Sequence, residues 1–112
     1  MKLITAVIKP FKLEDVRRAV GDAGVQGITV TEVRGFTGSG GHGRTQRGDE
    51  YGVEFVPNAK IEIAVPDALL ERALAAIARA AESGKAGDGE IFVFDLSQVA
   101  RIRTGERDDA AC

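Results

Sequence analysis

Residues 35–57 read GFTGSGGHGRTQRGDEYGVEFVP, with glycine at seven positions, 35, 38, 40, 41, 43, 48 and 52, and no apolar period. A run of this length without helical or strand periodicity is uncommon inside a compact domain, and it marks either a working loop or a linker. The linker reading requires each flanking half to fold alone. Neither half is long enough to bury a proper core, so a loop projecting from one domain is the expectation. Both flanks then belong to one sheet, and the rest of the chain is read outward from there.

On the N-terminal side, Ile28, Val30 and Glu32 alternate with Thr29, Thr31 and Val33 in a β-favouring run, which predicts a strand over 28–36. Before it, Leu13, Val16, Ala19, Val20 and Ala23 recur at steps of three and four, with Glu14, Asp15, Arg17, Arg18 and Asp22 on the other side. That is an amphipathic helix, with Glu14 and Arg18 as an i,i+4 pair and acidic residues in its first turn. Gly21 within it costs roughly 1 kcal/mol against alanine, which suggests close packing there. Gly24 suits the helix end. Residues 3–8, LITAVI, form an apolar branched run stopped by Lys9-Pro10, the first strand.

On the C-terminal side, Val53, Phe55 and Val56 extend a hairpin arm, which Pro57 and Asn58 are expected to interrupt. Residues 59–65 form the third strand. Asp67 is placed to cap a helix with the stripe Leu70, Ala73, Leu74, Ile77 and Ala81, ended by Gly84. Residues 90–96 form the fourth strand, carrying Ile91, Phe92, Val93 and Phe94. Val99 to Arg103 are expected to pair at an edge before a polar tail from Glu106.

Strand, helix, strand, long loop, strand, helix, strand is the order of an α+β, ferredoxin-like split βαβ sandwich, βαββαβ. The single domain spans 1–112, with 37–55 as a long mobile loop and 104–112 as a tail. Two helices cover one sheet face. On the other, Thr5, Val7 and Lys9 alternate with Ile4, Ala6 and Ile8, and Ile61 and Ile63 are set against Ala59 and Val65. A monomer leaves apolar groups exposed there, so assembly through the sheet into a closed ring is expected.

Fifteen Lys or Arg against seventeen Asp or Glu give a net charge of −2, which argues against a nucleic-acid partner. Cys112 is the only cysteine, so no disulfide forms within one chain, and a reducing cytoplasmic setting fits. No signal peptide or membrane span is visible, so the chain is not expected to be membrane-embedded. His42 is the only histidine, which excludes a histidine triad or a multi-histidine metal site within one chain. Glu50 and Glu54 lie near it, but a glycine-rich loop does not preorganise a base. With no catalytic set and no metal site, enzyme is the weaker class.

Gly84-Lys85-Ala86-Gly87-Asp88-Gly89 joins a helix to a strand, and Arg101-Ile102-Arg103 presents two guanidinium groups. A glycine turn offers successive N–H groups to phosphate oxygens, and arginines add charge-assisted contacts. A helix end, a hairpin turn and solvated arginines account for the same residues equally well. Tyr51 is the only tyrosine, and it reads as a contact residue, a modification target or an ordinary exposed phenol.

ITAVIKPFKLEDVRRAV, GITVTEVRGF, RGDEY, KIEIAVPD, GKAGDG and IFVFDLSQVARIRTGERDDAA together resemble the PII signal-transduction family, the nitrogen regulatory proteins, over nearly the whole chain. The resemblance implies a homotrimer holding ATP or ADP in clefts between subunits and binding 2-oxoglutarate beside Mg-ATP. It implies nucleotide contact by Thr29, Gly35, Phe36, Val65, Gly87, Asp88, Gly89, Glu90, Arg101 and Arg103. The loop from Gly38 to Glu54, the T-loop, would engage a membrane transporter or a regulated enzyme. Tyr51 matches the tyrosine uridylylated in many members. A binding module of the same fold tuned to bicarbonate, a cyclic nucleotide or a heavy-metal signal is the alternative.

Departures from the family pattern cluster in the same pocket. Gly38, Ser39 and Gly40 stand where Arg, Gln and Lys are usual, and the glutamine helps hold magnesium and the oxoacid. Asn58 and Glu90 each replace a lysine. An anion at 90 opposes polyphosphate, so weak synergy with 2-oxoglutarate is expected. Gln46 and Asp49 replace a tyrosine and a small residue before Tyr51, which predicts altered recognition by a uridylyltransferase.

Overall fold

The structure, a computed structural model, describes residues 1–36 and 55–112. Branched residues at the start form strand β1 (Lys2–Ile8), and Pro10 opens a 3-10 turn (Pro10–Lys12) that leads into helix α1 (Leu13–Asp22). Strands β2 (Thr29–Gly35) and β3 (Val56–Val65) flank residues 36–55. A second short turn (Asp67–Leu69) leads into helix α2 (Leu70–Ala81), followed by β4 (Gly89–Asp95) and a last 3-10 turn (Asp108–Ala111). The strands form one sheet in the order β2-β3-β1-β4, and every neighbouring pair is antiparallel. This is the α+β, ferredoxin-like arrangement expected from the sequence.

Ile4, Ala6 and Ile8 of β1 and Ala59, Ile61, Ile63 and Val65 of β3 are buried against Val16 and Val20 of α1 and Ala73, Ile77 and Ala81 of α2. Burying each of the larger side chains contributes about 2–3 kcal/mol. Ala59, Ile61, Ile63 and Val65 therefore share one face rather than alternating, because side chains along a strand repeat every two residues. Lys60, Glu62 and Ala64 take the other face, which carries no helix. There Thr5 pairs with Phe92 and Leu3 with Phe94, and both phenylalanines are about half exposed.

Four expectations change in detail. β3 runs through Pro57 and Asn58, which pair with Arg34 and Val33. β1 pairing ends at Ala59, so Pro57 has a neighbour on one side only, and a strand carries proline where its missing N–H faces no partner. Asp67 makes no side-chain cap to α2 and instead accepts from the Met1 ammonium at 2.9 Å. Glu14 pairs chiefly with Arg17, one step short of Arg18, which stands 4.0 Å away. The segment 99–103 joins no sheet edge: Ala100 bridges to Arg107, so the tail folds back on it.

Gly21 has nothing within 4 Å of a built Cβ, which corrects the close-packing expectation. Its φ is not in the left-handed region. Gly21→Ala is therefore expected to stabilise the fold by about 0.5 kcal/mol, chiefly by restricting the unfolded chain. Urea denaturation of the two proteins side by side checks this, and a loss of stability would reveal a hidden contact.

Candidate functional site

The turn between α2 and β4 is built around one carboxylate. Gly84, Gly87 and Gly89 adopt φ of +81°, +86° and +118°, which the tight return to β1 requires. Asp88 accepts from the Ser83 N–H at 2.8 Å, the Gly84 N–H at 3.1 Å and the Ser83 hydroxyl, and Lys9 Nζ lies 3.2 Å from it. Lys85 N–H donates to Ser83 Oγ at 3.3 Å. The N–H groups of 83, 84 and 85 are thus used within the turn. Those of Gly87 and Asp88 have no partner among the described residues. A glycine turn with free amides beside Lys9 suits an anion.

The hydrogen bonds from Ser83, side chain first and then main chain, hold the Asp88 carboxyl far below its ordinary value of 3.8, with Lys9 and Gly84 N–H adding to them. A carboxylate with a depressed folded pKa contributes stability above its unfolded value, and that contribution is lost as pH falls through the folded one. Stability should therefore decline on acidification below about pH 4, and Asp88→Asn should flatten part of that slope. Denaturation midpoints between pH 2 and 7 for both proteins test this. Identical slopes would place the acid-sensitive group elsewhere.

A second feature lies at the opposite end of the sheet. Thr29, Glu62, Val65, Arg101 and Cys112 line one cleft between β2, β3 and the folded-back tail. Arg101 donates through Nη2 to the Ala111 carbonyl at 2.9 Å and stands 3.4 Å from Glu106. Arg103 is exposed and has no side-chain partner among the described residues.

The expected nucleotide residues are therefore not gathered in one place within a single chain. Gly89 pairs with Ile8 at one end of β1, and Val65 pairs with Lys2 at the other. Six steps along the strand, from Ile8 to Lys2, separate them, roughly 20 Å. Gly35, Phe36, Gly87, Asp88, Gly89 and Glu90 belong to the first end, and Thr29, Val65 and Arg101 to the second. Asn58 lies over Gly35, its Nδ2 3.0 Å from where a Cβ would stand, and it donates to Val56 O. Glu90 and Lys60 flank Val7 on the open face. The rings of Phe36 and Phe55 meet at a 57° tilt with 5.8 Å between centroids, just beyond the paired ends of β2 and β3. His42, Tyr51, Gly38, Ser39, Gly40, Gln46 and Asp49 lie outside the described residues.

Sequence reasoning missed Lys9, Ser83 and Glu62. Lys9 was readable only as the stop of β1, and its role follows from strand order. Ser83 carried a local signal, a hydroxyl at a helix end with Asp five residues on. Glu62 was a charge inside an apolar strand, which points to an open sheet face.

The profile of the family described as nitrogen regulatory protein P-II matches residues 1–106. Nitrogen regulatory protein P-II 1 of Escherichia coli strain K12 is 57% identical over 111 residues, which cover 99% of each chain. Nitrogen regulatory protein P-II of Klebsiella oxytoca is 56% identical and nitrogen regulatory protein GlnK of E. coli K12 is 54% identical, each over 111 residues and 99% of both chains. No helix among the described residues is long and apolar enough to cross a membrane. Matched end to end, on the fold that its periodicity implied, the chain belongs to the nitrogen regulatory protein P-II family, signal-transduction regulators of nitrogen metabolism.

Proposed function

We propose that the chain senses adenine nucleotide as a cytoplasmic homotrimer, binding ATP or ADP between subunits and reporting it to a protein target through residues 38–54. The observation that carries this is the division of the site. One end of the sheet offers the amides of Gly87 and Asp88, unpartnered among the described residues, with Lys9, and the other offers Thr29, Val65 and Arg101. A single subunit does not bring them together, but two subunits packed through their open faces can oppose unlike ends. The half-exposed Phe92 and Phe94 supply apolar area for that packing.

Signalling in this reading is a population shift, with no bond chemistry on the protein. β2 and β3 bring Gly35 opposite Val56 at the end that carries the glycine turn, so phosphate bound there sits at the foot of the loop. The target is a membrane transporter or a regulated enzyme. Glu90 and Asn58, in place of two cations, disfavour a second anion beside the nucleotide. Magnesium would have to offset Glu90 in part.

Sedimentation and calorimetric titration with ATP, ADP and AMP, with and without Mg²⁺ and 2-oxoglutarate, test the reading. A trimer that binds ATP or ADP is the expected result, with 2-oxoglutarate changing ATP affinity by less than about threefold. Glu90→Lys should tighten ATP about tenfold, since it replaces repulsion with attraction at a partly solvated site. A monomer, or a trimer indifferent to every adenine nucleotide, overturns the proposal. Strong Mg-ATP-dependent 2-oxoglutarate binding overturns only the part assigned to Glu90 and Asn58.

A further inference from the structure

We infer that residues 106–112 form an autoinhibitory strap, which must release Arg101 before an anionic ligand can engage it. The inference rests on the nucleotide reading above and adds a regulatory contact to it. Arg101 is offered to phosphate in that reading, yet its Nη2 donates to Ala111 O at 2.9 Å and its Nε faces Glu106 at 3.4 Å. The strap's carbonyl and carboxylate thus take up Nη2 and Nε, the two nitrogens of one edge of the guanidinium through which a phosphate could be held in bidentate fashion. Ala111 and Cys112 also line the cleft with Thr29 and Val65, and Cys112 Sγ rests 3.6 Å from Ala64 O.

The strap is held by a small set of local bonds. Asp108 N–H donates to Val99 O at 2.7 Å, and Val99 N–H donates to the Asp108 carboxylate at 3.2 Å. Asp108 sits at φ +54°, a left-handed conformation that aspartate tolerates at some cost. Arg101 and Glu106 are about half exposed, so their pairing is weak and exchangeable. A strap closed by such contacts lowers ligand affinity by the fraction of time it is shut, a modest tax that a second signal acting on the tail would remove.

The test compares the full chain with a variant ending at Asp108, both titrated with ATP and ADP. Truncation is expected to tighten ATP about threefold, and Glu106→Gln to do so by a smaller factor. Cys112 of the full chain provides a second readout, since it is the only cysteine. Its reaction with dithionitrobenzoate should be faster under saturating ATP, as the strap lifts. Equal affinities with unchanged Cys112 reactivity overturn the strap and leave the nucleotide reading intact. Weaker binding by the truncated chain also overturns it, because the tail would then belong to the bound site. If neither form binds ATP or ADP, the nucleotide reading falls and the strap falls with it.

Discussion

Gly89→Ala is expected to cost about 3 kcal/mol of stability and to lower the melting temperature by more than about 10 °C. A Cβ at this position would lie 1.9 Å from the Val7 carbonyl oxygen, 3.0 Å from its carbon and 3.3 Å from Ile8 Cα. All three are backbone atoms, so no side chain can swing away. The φ of +118° is itself in a region that L residues rarely enter. Relief requires β4 to move off β1, which breaks the pairing of Gly89 with Ile8 and loosens the turn around Asp88. Gly87→Ala separates the two causes. Its φ is +86°, but the nearest atom to a Cβ is Lys9 Cε at 3.9 Å, so only conformational strain of about 1 kcal/mol applies. Urea unfolding of the three proteins measures the difference. If Gly89→Ala costs no more than Gly87→Ala, the close approach of the two strands is not a fixed feature of the fold.

This contrast shows where the chain was legible and where it was not. The steps of three and four in α1 and α2, and the branched runs of β1 and β3, are local patterns imposed by one buried face, so the elements and their order could be read directly. Pro57 misled because its cost depends on whether a neighbouring strand lies beside it, and β1 stops short of that point. The tail misled because polar residues usually signal solvent, whereas Asp108 and Glu106 spend their polarity on Val99 and Arg101. Asp67 looked like a cap, but the Met1 ammonium was the stronger partner, and only the fold brings it near. In the candidate site, the glycine cluster and the arginine pair were visible as residue types. The separation of Gly89 from Val65 and Arg101 was not, because it follows from antiparallel register across β1 and from the fold-back of the tail. The resemblance to a family supplied the idea of a shared cleft, and the register gives the physical reason one chain is insufficient.

The largest functional effect is expected from the arginines. Arg101→Ala should weaken ATP about tenfold, and Arg101→Ala with Arg103→Ala about a hundredfold, since hydrogen bonds between charged groups contribute more than neutral ones. The fold should survive both changes. Arg101 contacts only the tail among the described residues, through Ala111 and Glu106, and neither arginine belongs to the core. Loss of the Arg101 side chain also removes the contacts to Ala111 and Glu106, which offsets part of the penalty in both variants alike, so the gap between single and double reports Arg103. Arg103 has no side-chain partner among the described residues, so its contribution should appear in ligand titrations and not in unfolding curves. Calorimetry with ATP and sedimentation of each variant check both halves of the claim. A double variant that remains trimeric and binds ATP as tightly as the parent would move the phosphates away from 101 and 103. The free amides of Gly87 and Asp88, with Lys9 beside them, would then be the remaining anion site, and Lys9→Ala would become the variant that abolishes binding.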